Sequence, residues 1–198
     1  MSKNPNHPPK GSTISVEPIK SLDDINKIKS LLTNSPRDYA IFILGINTNL
    51  RASDISTISV EQARTAITLK EIFLREKKTC KTRRISLNQS VLNALISLLN
   101  TMPNTENNEP LFQSRKGKTP LTVPYINNLV KNWCRKTHIK GNFGSHTLRK
   151  TFGYIQRTIY NAPLPTLMTA FNHSSQWQTL HYLCIQPEEV KALYMNEI

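Results

Sequence analysis

Apolar residues recur at helical spacing along most of the chain, and β-favouring residues gather in only two short stretches, so the pattern predicts a mainly α fold of the α+β class with a small antiparallel sheet. Leu22, Ile25, Ile28, Leu31 and Leu32 form one helical stripe, begun in the manner of a capping box by Ser21 with Asp24 three positions later. Ser35-Pro36 restarts the chain with a cap and an N1 proline ahead of a buried helix over Tyr39 to Ile46. A short helix from Ser53 to about Ile58 then leaves Arg51 in the turn between two helices. Ile67 to Arg75 and Arg83 to Leu87 read as strands joined by a Lys/Thr/Cys turn. Asn88 to Asn100 follows as an amphipathic helix burying Val91, Leu92, Leu95, Ile96 and Leu99, and Thr101 to Pro110 as a polar loop. Leu111-Phe112 is expected to pair with Thr119 to Thr122 around Lys116-Gly117, before a helix over Pro124 to Thr137. A loop from Gly141 to Ser145 leads into the helix carrying His146, Arg149 and Phe152. Three short helices, Pro163 to Phe171, Ser175 to Leu183 and Pro187 to Met195, complete the set.

Residues 1 to about 17 place Pro5, Pro8, Pro9 and Gly11 among polar residues and are expected to form a disordered basic tail, with 18–198 as one domain. The chain's 198 residues are enough for a real core. Charge adds a partner to this picture: 26 Lys+Arg against 13 Asp+Glu give +13 at pH 7, a balance that suits a polyanion such as nucleic acid. The basic residues cluster around the hairpin (Lys70, Arg75, Lys77, Lys78, Lys81, Arg83, Arg84), in the second hairpin (Arg115, Lys116, Lys118) and in the helix before His146. Cys80, Cys134 and Cys184 are odd in number and lack metal-site spacing, so neither a structural disulfide nor a metal is expected and a reducing cytoplasm fits. No apolar run approaches the ~18 to 20 residues of a membrane span, and Met1 to Ser15 lacks the apolar segment of a secretory signal.

Candidate chemistry concentrates near the C-terminus, in Ser145-His146-Thr147-Leu148-Arg149, Asn172-His173-Ser174-Ser175 and Thr179-Leu180-His181-Tyr182-Leu183. A guanidinium offers planar donors to phosphate oxygens, an imidazole moves or shares a proton near neutral pH, and a phenol is a nucleophile with no metal requirement. The order resembles the signature of the tyrosine recombinases, the phage-integrase family, in which H-x-x-R precedes G-H-S-S and a tyrosine nine positions after the second histidine. Tyr182 lies nine positions after His173. Upstream, Thr48-Asn49-Leu50-Arg51-Ala52-Ser53-Asp54-Ile55 resembles the family's T-G-L-R-x-S-E-L. The hairpin Lys77-Lys78-Thr79-Cys80-Lys81-Thr82-Arg83-Arg84-Ile85-Ser86-Leu87 is similar to its S-K-T-G-K-x-R-x-I-P-L and, with Ile85 and Leu87 aligned, places the family's lysine on Lys78 rather than on Lys77 or Lys81. Three positions depart: Asn172 for glycine, His181 where arginine often precedes the tyrosine, and Lys150 where histidine often follows the arginine. Asparagine tolerates positive φ, so the turn into His173 is expected to survive.

The resemblance runs from about Ile19 to the end and implies the tyrosine recombinase catalytic-domain fold, without the N-terminal clamp domain that usually precedes it. It implies strand cleavage by Tyr182, preferred over Tyr160 and Tyr194, giving a 3′-phosphotyrosyl bond with no cofactor. Arg51 and Arg149 would hold the nonbridging phosphate oxygens, and His173 would complete that shell. His146 would accept the tyrosine proton or donate to phosphate, and Lys78 would be general acid to the leaving 5′-oxygen. The implied partners are double-stranded DNA, three further copies of the chain in a tetramer on DNA, and an accessory DNA-binding protein in place of the clamp. A type IB topoisomerase and a noncatalytic DNA-binding descendant are the rival readings. The segment after Pro187, with Val190, Leu193 and Tyr194 on one face, is expected to dock on a neighbouring protomer.

Overall fold

A computed structural model describes residues 16–75, 82–114, 117–183, 191 and 194–197. Its elements are, in order, α1 (Leu22–Leu32), α2 (Pro36–Asn47), α3 (Ala52–Ser56), α4 (Val60–Leu69), β1 (Glu71–Arg75), β2 (Thr82–Ser86), α5 (Gln89–Asn100), α6 (Val123–Lys136), α7 (Ser145–Thr158), α8 (Leu164–Phe171) and α9 (Gln176–Leu183). The mainly helical reading with one antiparallel pair holds. β1 and β2 pair from Glu71 opposite Ser86 to Arg75 opposite Thr82.

Local chemistry explains most of the boundaries. The Ser21 hydroxyl accepts the N–H groups of Asp23 and Asp24, two donors that the first turn of α1 cannot satisfy internally. Pro36 opens α2, where a missing N–H costs nothing. The stripe of α1 is narrower than expected: Ile25, Ile28 and Leu32 are buried, while Leu22 and Leu31 face solvent. In α5, Leu98 and Ala94 are buried and Ile96 is exposed.

The expected strand over Ile67 to Arg75 is corrected at its first half. Ser59 and Gln62 form a reciprocal capping box that starts α4, which buries Val60, Ala63 and Ala66 and runs through Leu69. Lys70 in the left-handed region (φ 55°) ends the helix, and β1 begins at Glu71. The loop after α5 does more than connect elements, because the carbonyls of Glu109 and Asn107 accept the N–H groups of Val60 and Glu61 at the start of α4. The pairing around Gly117 is present as a Gln113–Pro120 bridge flanked by Leu121 N–H to Phe112 O at 2.9 Å. The tail up to Ser15 and most of the expected helix from Pro187 to Met195 lie outside the described residues; Tyr194, which is described, is 84% exposed.

Two apolar clusters hold the fold. The larger draws on α1 to α7 and both strands, with Phe42 edge-on to Trp133 at 6.0 Å between ring centres. The smaller consists of Leu167, Phe171 and Leu183, with Phe152 and Tyr182 packed against it. Glycines let α7 approach both clusters. A Cβ on Gly45 of α2 would meet Leu148 at 2.5 Å, and one on Gly153 of α7 would meet both Leu183 and Phe171 at 2.6 Å. α7 is thus wedged between the main core and the C-terminal helices.

Candidate active site

The turn between α2 and α3 carries Arg51. Asn49 adopts the left-handed conformation there (φ 57°), at the place where the T-G-L-R pattern has glycine, and Leu50 is buried beside it. Asp54, in the first turn of α3, accepts the Arg51 N–H at 3.2 Å and lies 3.9 Å from Arg51 Nη1. A buried carboxylate thus holds both the backbone and the charge of Arg51.

Residues 146, 149 and 150 share one face of α7, being three and four positions apart. Arg149 is 3% exposed. Its Nη1 donates to Asn49 O at 2.8 Å and its Nη2 to Phe171 O at 2.9 Å, which joins the α2–α3 turn to the end of α8. The last carbonyls of a helix have no partner within it and carry its negative dipole end, so cations and donors collect there. At α8 the collection is nearly complete. Ala170 O accepts from Asn49 Nδ2 at 2.6 Å and from Arg83 Nη2, on β2, at 2.9 Å. Met168 O and Thr169 O accept the N–H groups of His173 and Asn172.

This last pair is a helix stop with Asn172 in the left-handed conformation (φ 55°, ψ 45°), so the asparagine takes the turn expected of it. The turn aims His173 back over the small core. Its ring stacks on Phe171 at 5.1 Å and 22°, and Nδ1 lies 3.0 Å from Thr179 Oγ1. Thr179 is itself fully buried. From α9, Tyr182 brings its ring to 5.1 Å from Phe171 and 5.6 Å from His173, and its Oη to 3.2 Å from His146 Nδ1. When the His146 proton sits on Nε2, the phenol donates to Nδ1.

The field at this point is cationic. Desolvation first, then the charges of Arg149, Lys150 and Arg51, push the His146 pKa below its ordinary value. Desolvation, Arg149 and Arg51 do the same to His173. Both imidazoles are therefore biased toward the neutral form at pH 7, in which a ring nitrogen can accept a proton. Arg149 also lies over the rings of Phe171 (5.1 Å) and Tyr182 (6.0 Å).

The structure brings Arg51, His146, Arg149, His173 and Tyr182 to one side of α7 and α9. Lys78 lies outside the described residues. Tyr182 presents its Oη to His146. Tyr160 is 66% exposed at the end of α7. Sequence reasoning passed over Asn49, Arg83, Phe171 and Thr179, which hold the site together. An asparagine at a motif glycine was a signal for Asn49; Arg83 bonds to a backbone carbonyl, Phe171 packs and Thr179 meets the His173 ring, none of which leaves a pattern in the chain.

Comparison with known proteins bears on the family and the fold. The sequence profile of the phage integrase family matches residues 19–189. A probable integrase/recombinase of Bacillus subtilis (strain 168), YoeC, is 34% identical over 182 residues, spanning 90% of this chain and 95% of the relative. The tyrosine recombinase XerC of Caldanaerobacter subterraneus subsp. tengcongensis is 27% identical across 96% of this chain, which spans 54% of that protein. Among solved structures, XerA recombinase superposes with a TM-score of 0.78 at 18% identity, over 96% of this chain and 68% of its own. XerH bound to its palindromic difH substrate gives 0.69 at 15% identity, over 92% and 53%. At these identities the structural likeness speaks for the fold alone. The profile over most of the chain and the YoeC identity carry the assignment: the chain belongs to the phage integrase family and has the fold of a tyrosine recombinase catalytic domain.

Proposed function

We propose that this protein is a site-specific DNA recombinase that cleaves and rejoins strands through a 3′-phosphotyrosyl bond to Tyr182. The observation that carries the reading is the 3.2 Å contact between Tyr182 Oη and His146 Nδ1 beside the guanidinium of Arg149. A phenol with an acceptor at its oxygen and cations around it is placed to attack a phosphodiester. In the forward step the Oη–P bond forms, the P–O5′ bond breaks, the phenol proton passes to His146 Nδ1, and the 5′-oxygen takes a proton from Lys78. Arg51, Arg149 and His173 neutralise charge on the nonbridging oxygens. Because the phosphotyrosine retains the bond energy, a 5′-hydroxyl from a partner duplex reverses the step.

Double-stranded DNA fits the +13 charge, and the similar structures include XerH on difH DNA and the Tn1549 transposon integrase with circular intermediate DNA. Four protomers on two duplexes would be the working unit. The test is a duplex nicked just 3′ of the scissile phosphate in DNA flanking the gene. Loss of the short 5′-hydroxyl fragment should trap a denaturant-resistant adduct on the 3′-phosphate; binding without adduct would favour a noncatalytic DNA-binding protein.

The assignment of Lys78 has its own test. An alkoxide leaves poorly without a proton, whereas a thiolate, whose parent thiol has a pKa of about 8.5, leaves without an acid. Lys78→Ala should cleave an ordinary strand about 10²-fold or more slowly and recover most of its rate on one with sulfur at the bridging 5′ position. Rescue seen for Lys81→Ala instead would move the general acid to Lys81.

A further inference from the structure

Lys150 is 6% exposed, and a lysine that far inside a protein needs a reason, since removing an ammonium from water is costly. Its Nζ lies 5.4 Å from the centre of the Tyr182 ring. It follows Arg149 directly and stands four positions from His146, so α7 presents His146, Arg149 and Lys150 together to α9. The small core presses Tyr182 onto this face from the other side through Phe171. Attack by a phenol turns its oxygen from neutral to anionic before the bond to phosphorus is complete. A cation held against the ring favours that change, and its rigid seat leaves little reorganisation for the moment of reaction.

We propose that Lys150 is a positioning residue whose ammonium, seated against the ring of Tyr182, stabilises the negative charge that develops on the nucleophilic oxygen. The inference rests on Tyr182 being the nucleophile. Lys150 also acts on His146, whose proton affinity its charge lowers together with those of Arg149 and Arg51. One residue therefore serves both ends of the proton transfer: it favours the phenolate and keeps the acceptor empty. Among the described residues, His146 and Arg149 from α7 and His173 from the turn after α8 also face Tyr182, with Phe171 of α8 contributing an apolar ring. Arg51 acts on both histidines from the α2–α3 turn, with Asp54 beside it.

The experiment compares wild type, Lys150→Met and Lys150→Arg by adduct formation on the nicked duplex from about pH 6 to pH 10, the range set by the His and Tyr pKa values. Without the cation the phenolate is less favoured and His146 holds its proton to higher pH, so the whole profile should move up. A shift of about one unit is expected for Lys150→Met, that is, about a tenfold slower rate near neutral pH with recovery in alkali. Lys150→Arg should stay near the wild-type profile. Tyrosinate absorbance without DNA gives a second reading: the titration lost in Tyr182→Phe should lie about one unit higher on the Lys150→Met background. Equal slowing at every pH, or an unmoved Tyr182 titration, would overturn the proposal by making Lys150 merely structural. Persistence of the adduct in Tyr182→Phe would remove the nucleophile assignment, and this inference with it.

Discussion

Tyr182→Phe is expected to form no covalent adduct on a nicked duplex while binding the same DNA within about twofold of wild type, because only the nucleophilic oxygen is lost. The ring contacts with Phe171, His173 and Lys150 do not involve that oxygen and are kept. The loss of one partly exposed hydrogen bond to His146 should cost about 1 kcal/mol or less, so unfolding in denaturant should barely move. This combination, complete loss of chemistry with intact fold and binding, separates a nucleophile from a packing residue. An adduct that survives in Tyr182→Phe would transfer the role to Tyr160 or Tyr194.

The second large effect is expected at Arg149, where chemistry and stability fail together. Its two terminal nitrogens bridge Asn49 O and Phe171 O inside the protein. Arg149→Ala leaves both carbonyls without that partner and opens a cavity, at a cost of about 2 to 4 kcal/mol in urea unfolding. Arg149→Lys keeps a charge but has no planar fork to span the two carbonyls, so it should recover part of the stability and little of the rate. Both variants should form adduct about 10²- to 10³-fold more slowly, the range found when one preorganised donor is removed from a site of developing charge. A lysine variant with wild-type rate would show that charge alone matters at this position.

How much of this was legible beforehand depended on whether the physics acted through side-chain spacing. The i, i+3 relation of His146 and Arg149 and the positive φ of Asn172 follow from local rules, and the structure has them in those forms. The place of Arg51 between two helices was legible for the same reason. α4 was not, because Ile67 and Leu69, read with Ile72 and Phe73, suggested a strand while the Ser59–Gln62 capping box that starts the helix lay upstream of them. The anchoring of α8 was hidden for a deeper reason. Asn49, Arg83 and Arg149 all reach backbone carbonyls, and a carbonyl is present at every residue, so no composition or motif marks which ones will be used. Lys150 was visible only as a departure from a pattern; its meaning needed the position of Tyr182.

The unequal division of the interior sets an order in which parts of the molecule come undone. Tyr182 packs on a cluster that holds three interior side chains among the described residues, whereas Leu50 and Ala52, on either side of Arg51, and Leu148 of α7 belong to the large one. Opening free energy scales roughly with the apolar surface released, so α8 and α9 can detach as a cooperative unit well below the free energy of global unfolding. In such an opening the attacking group leaves while the half-site holding Arg51 stays formed. Reassembly then waits on contacts between residues far apart in sequence, Asn49 with Ala170, 121 positions on, among them, so readiness for chemistry is the last property the chain acquires as it folds.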